Sequence, residues 1–192
     1  MAQHRTTARS EAVRRLAAVW FCDIVGSTEI AAELGDQRFR RLLTRWLASI
    51  RAILRRREGR EVDVAGDGLF AVFETPAAAL RAALEATAVV RELGIEVRSG
   101  VHLGEVEQAP DGRVAGIAVH LGARIADRAS AGEVWTDART GELVTGAGFG
   151  FEDRGGHVLK GIDGRQALLA AVEMDGERIG RASCRERVSD TV

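Results

Sequence analysis

The stretch Val19–Thr28, VWFCDIVGST, places a single acidic residue, Asp23, at the end of an apolar run and follows it with small, turn-forming residues. The apolar residues Leu16–Phe21 predict a short central strand, because polar residues precede them and a turn follows. Beyond the turn, Ser27 or Thr28 is expected to cap a helix. A lone carboxylate between a buried strand and a helix is either a helix cap or a ligand-binding group, and the rest of the sequence must decide between them.

The segments that follow alternate between helical and extended patterns. Apolar residues continue at helical spacing over residues 30–54, and Gly35 with Asp36 is expected to divide them into two helices. Glu61–Phe73 has a hairpin pattern with an Asp-Gly turn at residues 66–68. Further helices are predicted at Pro76–Leu93 and Gly116–Ala129, and further extended pieces at Ile95–Val106, Val134–Thr136, Phe149–Glu152 and Ala167–Val172. This order predicts an α/β chain of the α+β kind, with a ferredoxin-like core in which helices pack on a mostly antiparallel sheet.

Composition indicates a globular protein with an ordinary hydrophobic core. Of the 192 residues, 46% are hydrophobic and 29% are charged, and this length suits one domain better than two. With 27 Lys and Arg against 28 Asp and Glu, the net charge is -1, so we expect no binding to nucleic acid or to a membrane through overall charge. Cys22 and Cys184 are too few for a disulfide framework, and no segment has a signal or membrane-spanning pattern. We therefore expect a cytoplasmic protein with reduced thiols.

The chain is predicted to have three parts. Residues 1–14 form an N-terminal segment, and residues 15–178 form the folded domain. Residues 179–192 begin with IGRASCRERV, which lacks helical and strand periodicity and resembles the conceptual translation of a common short-read sequencing adapter. We interpret these last residues as a non-native tail, so Cys184 would not belong to the natural protein; the alternative is a disordered basic tail.

A second carboxylate stands in the same kind of setting as Asp23. Asp67 lies in the hairpin turn, and both residues follow apolar strands beside glycine-containing turns. If the two strands are neighbours, the carboxylates converge on one edge of the sheet. Paired carboxylates offer hard oxygen ligands to Mg²⁺ or Mn²⁺ and leave positions for phosphate and water. The alternative is that Asp23 caps the helix and Asp67 only makes the turn.

Six ordered blocks of sequence carry a resemblance to a known family. They are FCDIVGST, AGDGLFAVF, SGVHLGEV, GIAVHLGARIA, AGEVW and LKGIDG. In this order and spacing, from about Arg15 to Glu173, the chain resembles the catalytic domain of the class III adenylate and guanylate cyclases, particularly the bacterial type. The resemblance implies conversion of ATP or GTP to a 3′,5′-cyclic nucleotide and pyrophosphate in intracellular signal transduction. ATP is favoured as the substrate because adenylate members are common.

The resemblance also assigns metal ligands and phosphate-binding residues. Asp23 and Asp67 match the two metal-binding aspartates, and the carbonyl of Ile24 is a further ligand to one of two Mg²⁺ or Mn²⁺ ions. One ion would acidify the ribose 3′-hydroxyl that attacks the α-phosphorus, and the other would hold the β- and γ-phosphates. The triphosphate is also expected to bind the N–H groups of the turn residues at a helix N-terminus, which are Gly26, Ser27 and Thr28.

A homodimer is implied as well, because each site in this family combines two chains. Metal ligands come from one chain and transition-state groups from its partner, in two sites related by a twofold axis. His120 and Arg124 stand four residues apart and so share a helix face. Arg124 matches the arginine that stabilises charge on the α-phosphate. His120 stands where the family commonly has asparagine, and its imidazole either bonds the substrate or has a structural partner. Lys160 matches a lysine near the triphosphate.

The positions that read the base depart from the family pattern. Adenylate members usually have a lysine four residues before the second metal aspartate and an aspartate seven before the asparagine, and here these positions hold Asp63 and Arg113. The two residues could read adenine from exchanged positions, read guanine with Asp63 as the acceptor, or bond to each other and weaken base binding. A slip of two residues would place Asp111 at the second position. A second hypothesis is therefore a catalytically degenerate module that binds nucleotide, or only dimerises, and regulates a missing attached domain.

Overall fold

A computed structural model describes residues 12–173 of the chain. Residues 1–11 and 174–192, which include the proposed non-native tail and Cys184, lie outside the described part. In chain order the elements are β1 (Val13–Ile24), α1 (Ser27–Leu34), α2 (Asp36–Arg56), β2 (Arg60–Ala65), β3 (Gly68–Phe73), α3 (Pro76–Arg91), β4 (Val97–Gln108), β5 (Val114–Ala115), α4 (Ile117–Arg128), β6 (Val134–Asp137), α5 (Ala138–Leu143), β7 (Phe149–Val158) and β8 (Arg165–Glu173).

The strands form one sheet with β1 near its centre. The order across the sheet is β2-β3-β1-β4-β6-β8-β7, and the short strand β5 pairs with β4. Each strand pair in residues 12–173 is antiparallel except β4 with β6. The predicted α+β fold with a mostly antiparallel sheet is therefore confirmed.

Helices cover both faces of this sheet. Successive residues of a strand point to opposite faces, so Trp20 and Val19 of β1 belong to different cores. Trp20 packs with Trp46 of α2 and Leu80 of α3, and all three are fully buried. Val19 belongs to a smaller cluster with Ala118 of α4 on the other face. Within residues 12–173, no helix combines the length and the apolar character needed to cross a membrane.

Two glycines let α4 lie directly against the sheet. A methyl group added to Gly100 of β4 would lie 2.3 Å from the backbone nitrogen of Ala126, and one added to Gly122 of α4 would lie 2.6 Å from Cγ2 of Val19. No side chain larger than hydrogen fits either position without a shift of the helix. This close packing brings the C-terminal half of α4 beside the end of β1, where Asp23 lies.

The predicted side-chain cap of α1 is wrong. Gly26 is the N-cap residue, with φ of 66°, and no side chain in the described residues caps the helix. Ser27 and Thr28 are instead the first residues of α1. Glycine adopts the left-handed conformation without the strain of a Cβ atom, so the chain turns here without a capping hydroxyl. The predicted division at Gly35 and Asp36 is confirmed, since α1 ends at Leu34 and α2 begins at Asp36.

Several element bounds differ from the sequence predictions. β1 continues through Asp23 to Ile24 because both residues pair with β4. β7 extends to Val158 because it pairs with β8 along most of its length. The short helix α5 has no counterpart in the prediction; Asp137 begins it by accepting a hydrogen bond from the backbone N–H of Thr140 at 3.1 Å.

Candidate active site

Asp23 lies in the penultimate position of β1, between two neighbouring strands. Its antiparallel partners are Gly68 of β3 on one side and Arg98 of β4 on the other. The Asp23 side chain is 32% exposed, so it opens to solvent at the edge of the sheet. Gly68 leaves room beside it, because a Cβ atom added there would lie 3.8 Å from Oδ1 of Asp23.

Asp67 reaches the same edge through the turn between β2 and β3. The turn consists of Gly66, with φ of 63°, and Asp67. The carbonyl of Asp67 accepts a hydrogen bond from the backbone N–H of Ile24 at 3.2 Å, which ties the turn to the end of β1. The structure therefore brings Asp23, Ile24 and Asp67 together, as the sequence predicts, while their roles as metal ligands stay predictions.

The turn into α1 begins directly after Ile24. Val25 donates its backbone N–H to the carbonyl of Glu96 at 2.9 Å, and Gly26 then turns the chain into the helix. The first N–H groups of an α-helix have no partner within the helix. Ser27 and Thr28 thus lie where a helix N-terminus can bind an anion beside the two aspartates.

A cavity of about 300 Å³ opens next to Asp23. Phe21 and Phe70 form an apolar part of its wall, with their rings stacked at a centroid distance of 4.5 Å. Its charged lining consists of Asp23, Asp63, Arg98 and Asp127. One cation therefore faces three carboxylates in this cavity, and an added cation would be favoured there.

Arg98 is the immediate partner of Asp23. Its Nη2 donates to Oδ2 of Asp23 at 2.8 Å, and its Nε donates to the same oxygen at 3.2 Å. Burial raises the pKa of the Asp23 carboxyl, the hydrogen bonds from Arg98 partly offset that rise, and the negative charges of Asp67 and Asp127 add to it. Uncompensated negative charge at this point suits a divalent cation with hard oxygen ligands.

Sequence reasoning missed both Arg98 and Asp127. Arg98 is recognisable only from the register of β1 with β4, which joins residues 75 positions apart. Asp127 follows Arg124 by three residues on α4, a spacing that places both on one helix face and that could have been noticed. Nη1 of Arg124 donates to Oδ2 of Asp127 at 2.9 Å.

The proposed transition-state residues lie on α4 but outside this cavity. Neither His120 nor Arg124 belongs to the cavity lining of their own chain. His120 is exposed, and Arg124 has 40% of its side chain exposed. Lys160 is exposed in the loop between β7 and β8 and also lies outside the lining. A single chain therefore brings together the predicted metal ligands but not these three residues.

Asp63 and Arg113 are not bonded to each other. Asp63 lines the cavity, and its Oδ1 accepts the backbone N–H of Val64 at 2.9 Å. Arg113 lies in the loop between β4 and β5, where its Nε donates to Oδ2 of Asp111 at 2.7 Å. The Arg113 side chain is 83% exposed. Of the three outcomes open from the sequence, direct pairing of Asp63 with Arg113 is therefore absent from residues 12–173.

The sequence model of the adenylate and guanylate cyclase catalytic domain matches residues 11–171. This chain belongs to that family. The sequence-based recognition is thus confirmed for nearly the whole described part of this cyclase domain. No curated protein sequence is significantly similar to it.

Solved structures of cyclase domains share the fold. The adenylyl cyclase CyaB of P. aeruginosa superposes with a TM-score of 0.80 at 22% identity, covering 86% of this chain and 98% of that one. The guanylate cyclase domain of RhGC from Catenaria anguillulae, in complex with GTP, gives a TM-score of 0.77 at 19% identity and covers 85% and 100%. An adenylate/guanylate cyclase/hydrolase from Silicibacter pomeroyi gives 0.71 at 26% identity and covers 84% and 98%. Both nucleotide specificities therefore occur on this fold.

Proposed function

We propose that this cyclase domain converts a nucleoside triphosphate into a 3′,5′-cyclic nucleotide and pyrophosphate, with ATP favoured and GTP as the second candidate. The observation that carries the proposal is the convergence of Asp23 and Asp67 at one strand end, beside an uncapped helix N-terminus and Arg98. Family membership supports the reaction type.

The chain's own groups would hold the triphosphate against these carboxylates. Asp23, Asp67 and the carbonyl of Ile24 would hold two Mg²⁺ or Mn²⁺ ions, which acidify the 3′-hydroxyl and neutralise the β- and γ-phosphates when bound. The backbone N–H groups of Ser27 and Thr28 would bind phosphate oxygens at the start of α1. Arg98, once released from Asp23, would offer a planar pair of donors to a phosphate.

The reaction itself needs positioning more than covalent chemistry. The ribose 3′-oxygen forms a bond to the α-phosphorus, the bond from that phosphorus to the pyrophosphate oxygen breaks, and the hydroxyl proton leaves to water. Arg124 of the partner subunit would stabilise the charge that develops on the α-phosphate. A homodimer follows from this assignment, because neither Arg124 nor His120 lines the cavity of its own chain.

The base would lie against the apolar wall near Asp63. Asp63 offers a carboxylate acceptor, which the N1–H and 2-amino groups of guanine can use directly and the amino group of adenine can use alone. Arg113, held by Asp111, is the candidate donor from the partner subunit's loop. We therefore propose that Asp63 and Arg113 decide between ATP and GTP.

A degenerate, regulatory cyclase-like module is the second candidate. The observation that favours it is the bond from Nε of Arg113 to Asp111, which holds this guanidinium in its own loop and uses one of its five N–H donors. Such a module would bind nucleotide or dimerise without turnover.

One assay separates the two candidates. The purified chain is incubated with ATP or GTP and either Mg²⁺ or Mn²⁺, and cyclic nucleotide and pyrophosphate are quantified, with Asp23→Ala as the inactive control. We expect product from ATP that depends on the metal and is lost in Asp23→Ala. Product no greater than that of the control with both nucleotides would refute the enzyme and support the degenerate module, whereas product from GTP alone would reverse the substrate preference.

A further inference from the structure

Two arginines, Arg15 and Arg60, lie at one end of the sheet face that α4 covers. Arg15 of β1 pairs with Val106 of β4, and Arg60 of β2 pairs with Val72 of β3. Residues paired across antiparallel strands project from the same face of a sheet. Val72 and Val106 belong to the apolar cluster on the α4 face. Both arginine side chains therefore project beside that cluster.

The side chain of Arg60 reaches across this end of the sheet. Its Nη1 donates to the carbonyl of Gly112 at 3.0 Å, in the loop that joins β4 to β5. Burial lowers the pKa of Arg60, and the positive charge of Arg15 lowers it further. The loop of Gly112 follows Gln108, which pairs with Val13 two residues before Arg15, so the Arg60 side chain extends toward the start of β1.

Both arginines also carry buried donors without a partner. Within residues 12–173, Nε of Arg15 and Nη2 of Arg60 are buried and donate to no hydrogen-bond acceptor. Buried donors of native proteins nearly always have a hydrogen-bond partner. A buried donor without one costs free energy of folding, and this cost is greatest for a charged donor. An acceptor is therefore expected between or beside these groups.

Three carboxylates near the two arginines in sequence or register are bonded elsewhere, while Glu105, the register partner of Leu16, is exposed and projects from the opposite face of the sheet. The pairs are Glu61 with Arg51 at 2.7 Å, Glu107 with Arg14 at 3.1 Å, and Asp111 with Arg113 at 2.7 Å. Arg15 and Arg60 have no ion-pair partner in the described part of the chain. Two positive charges and two buried donors are thus left uncompensated at one place.

We propose that Arg15 and Arg60 form a binding site for a phosphate-type dianion. Two guanidinium groups carry two positive charges, which one dianion neutralises. A phosphate has enough oxygens for the planar donors of both groups, whereas a carboxylate has only two oxygens and one charge. The phosphate could be inorganic or a monoester. This site lies away from the proposed metal ligands, because Arg15 precedes Asp23 in the same strand by about 26 Å at ordinary strand spacing. It adjoins the loop of Arg113, since Arg60 bonds Gly112 there.

Calorimetric titration of the full chain with sodium orthophosphate, against sodium chloride of equal ionic strength, tests the site without any catalytic readout. We expect saturable binding that weakens at least tenfold in Arg15→Gln and in Arg60→Gln. Arg14→Gln is the matched control, since it changes an exposed neighbouring arginine that already has a carboxylate partner. Arg98→Gln should keep this binding as well, which separates it from phosphate bound in the active-site cavity.

Titrations with other ligands identify the anion that binds, and thermal unfolding of each variant excludes a folding defect. Acetate should bind at least tenfold more weakly than orthophosphate, and parallel titration with glycerol 3-phosphate shows whether a free or an esterified phosphate binds more tightly. Phosphate should raise the thermal unfolding midpoint of the wild type and of Arg14→Gln but not of folded Arg60→Gln. The absence of saturable binding, equal binding of acetate, or an equal rise of the midpoint in all variants would overturn the proposal.

Discussion

Arg98 donates two hydrogen bonds to a single carboxylate oxygen of Asp23, at 2.8 Å from Nη2 and 3.2 Å from Nε. The two residues face each other in the register of β1 with β4. A metal ion bound to Asp23 would compete with Arg98 for that oxygen. The released guanidinium would then lie beside the proposed phosphate site, so one side chain can balance the charge of the cavity both with and without nucleotide.

Replacement of Arg98 should weaken nucleotide binding. We expect Arg98→Gln to raise KM for the nucleotide at least tenfold, because a hydrogen bond to a charged group contributes about 1.5–3 kcal/mol. Steady-state kinetics with saturating Mn²⁺ measure the change, and Arg14→Gln serves as the control for loss of one positive charge. A KM that matches the wild type would show that Arg98 does not bind substrate.

Replacement of Asp23 should stabilise the chain in the absence of metal and remove its response to metal. Burial and the charges of Asp67 and Asp127 raise the pKa of Asp23 above its ordinary value. The protonated carboxyl therefore stabilises the fold below that ordinary value, and this stabilisation is lost as the pH rises through the raised pKa. Asp23→Asn should therefore unfold at a higher temperature than the wild type at pH 7 in metal-free buffer. Added Mn²⁺ should raise the midpoint of the wild type only. An equal Mn²⁺ response in both proteins would contradict the assignment of Asp23 as a ligand.

The stability of the fold in acid should depend on Asp137, which lies outside the lining of the cavity beside Asp23. Burial alone would raise the pKa of this carboxyl, but the His102 ring, at 2.7 Å, and hydrogen bonds from Thr140 lower it below its ordinary value. Its stabilisation is therefore present above the ordinary pKa and is lost as the pH falls through the lowered one. We expect Asp137→Asn to lose about 1–3 kcal/mol of unfolding free energy at pH 7 and less near pH 3. Urea unfolding at both pH values, with the exposed Asp163→Asn as control, measures the difference; a loss that does not change with pH would contradict it.

Replacement of Gly100 by alanine should destabilise the packing of α4 against the sheet. Gly100→Ala places a Cβ atom 2.3 Å from the backbone of Ala126 and should lower the unfolding free energy by about 1–3 kcal/mol. Gly68→Ala is the matched control, because the nearest atom to its added Cβ lies at 3.5 Å, an ordinary contact distance. Equal stability of the two variants would show that α4 does not depend on this close approach.

Local patterns in the sequence predicted most of the fold. The Asp-Gly turn at residues 66–68, the break at Gly35 and the helical spacing of α4 are set by neighbouring residues, and the structure confirms each of them. The predicted side-chain cap of α1 was wrong because the backbone preference of glycine sets the start of this helix. Gly26 is the N-cap residue in the left-handed conformation, although the hydroxyl residues Ser27 and Thr28 follow it. The short α5 was missed because six residues give too little periodicity.

The candidate site was only partly predictable, because part of it depends on pairing between distant segments. Asp23 and Asp67 were found from their similar local settings. Arg98 meets Asp23 only through the register of β1 with β4, and a slip of one residue would turn it to the other face. The bond of Arg113 to Asp111, rather than to Asp63, likewise depends on the shape of a loop that the sequence leaves open.

A mixing experiment tests the two-chain site most directly. Asp23→Asn removes a proposed metal ligand and Arg124→Ala a proposed transition-state group, so each variant alone should form no cyclic nucleotide. If sites combine two chains, random exchange of equal amounts should place one intact site in half of the dimers and restore about a quarter of wild-type activity. A mixture of Asp23→Asn with Asp67→Asn should restore none, since both changes affect the same half of a site. With an active wild type, an Asp23→Asn and Arg124→Ala mixture no more active than its separate components would contradict the shared site.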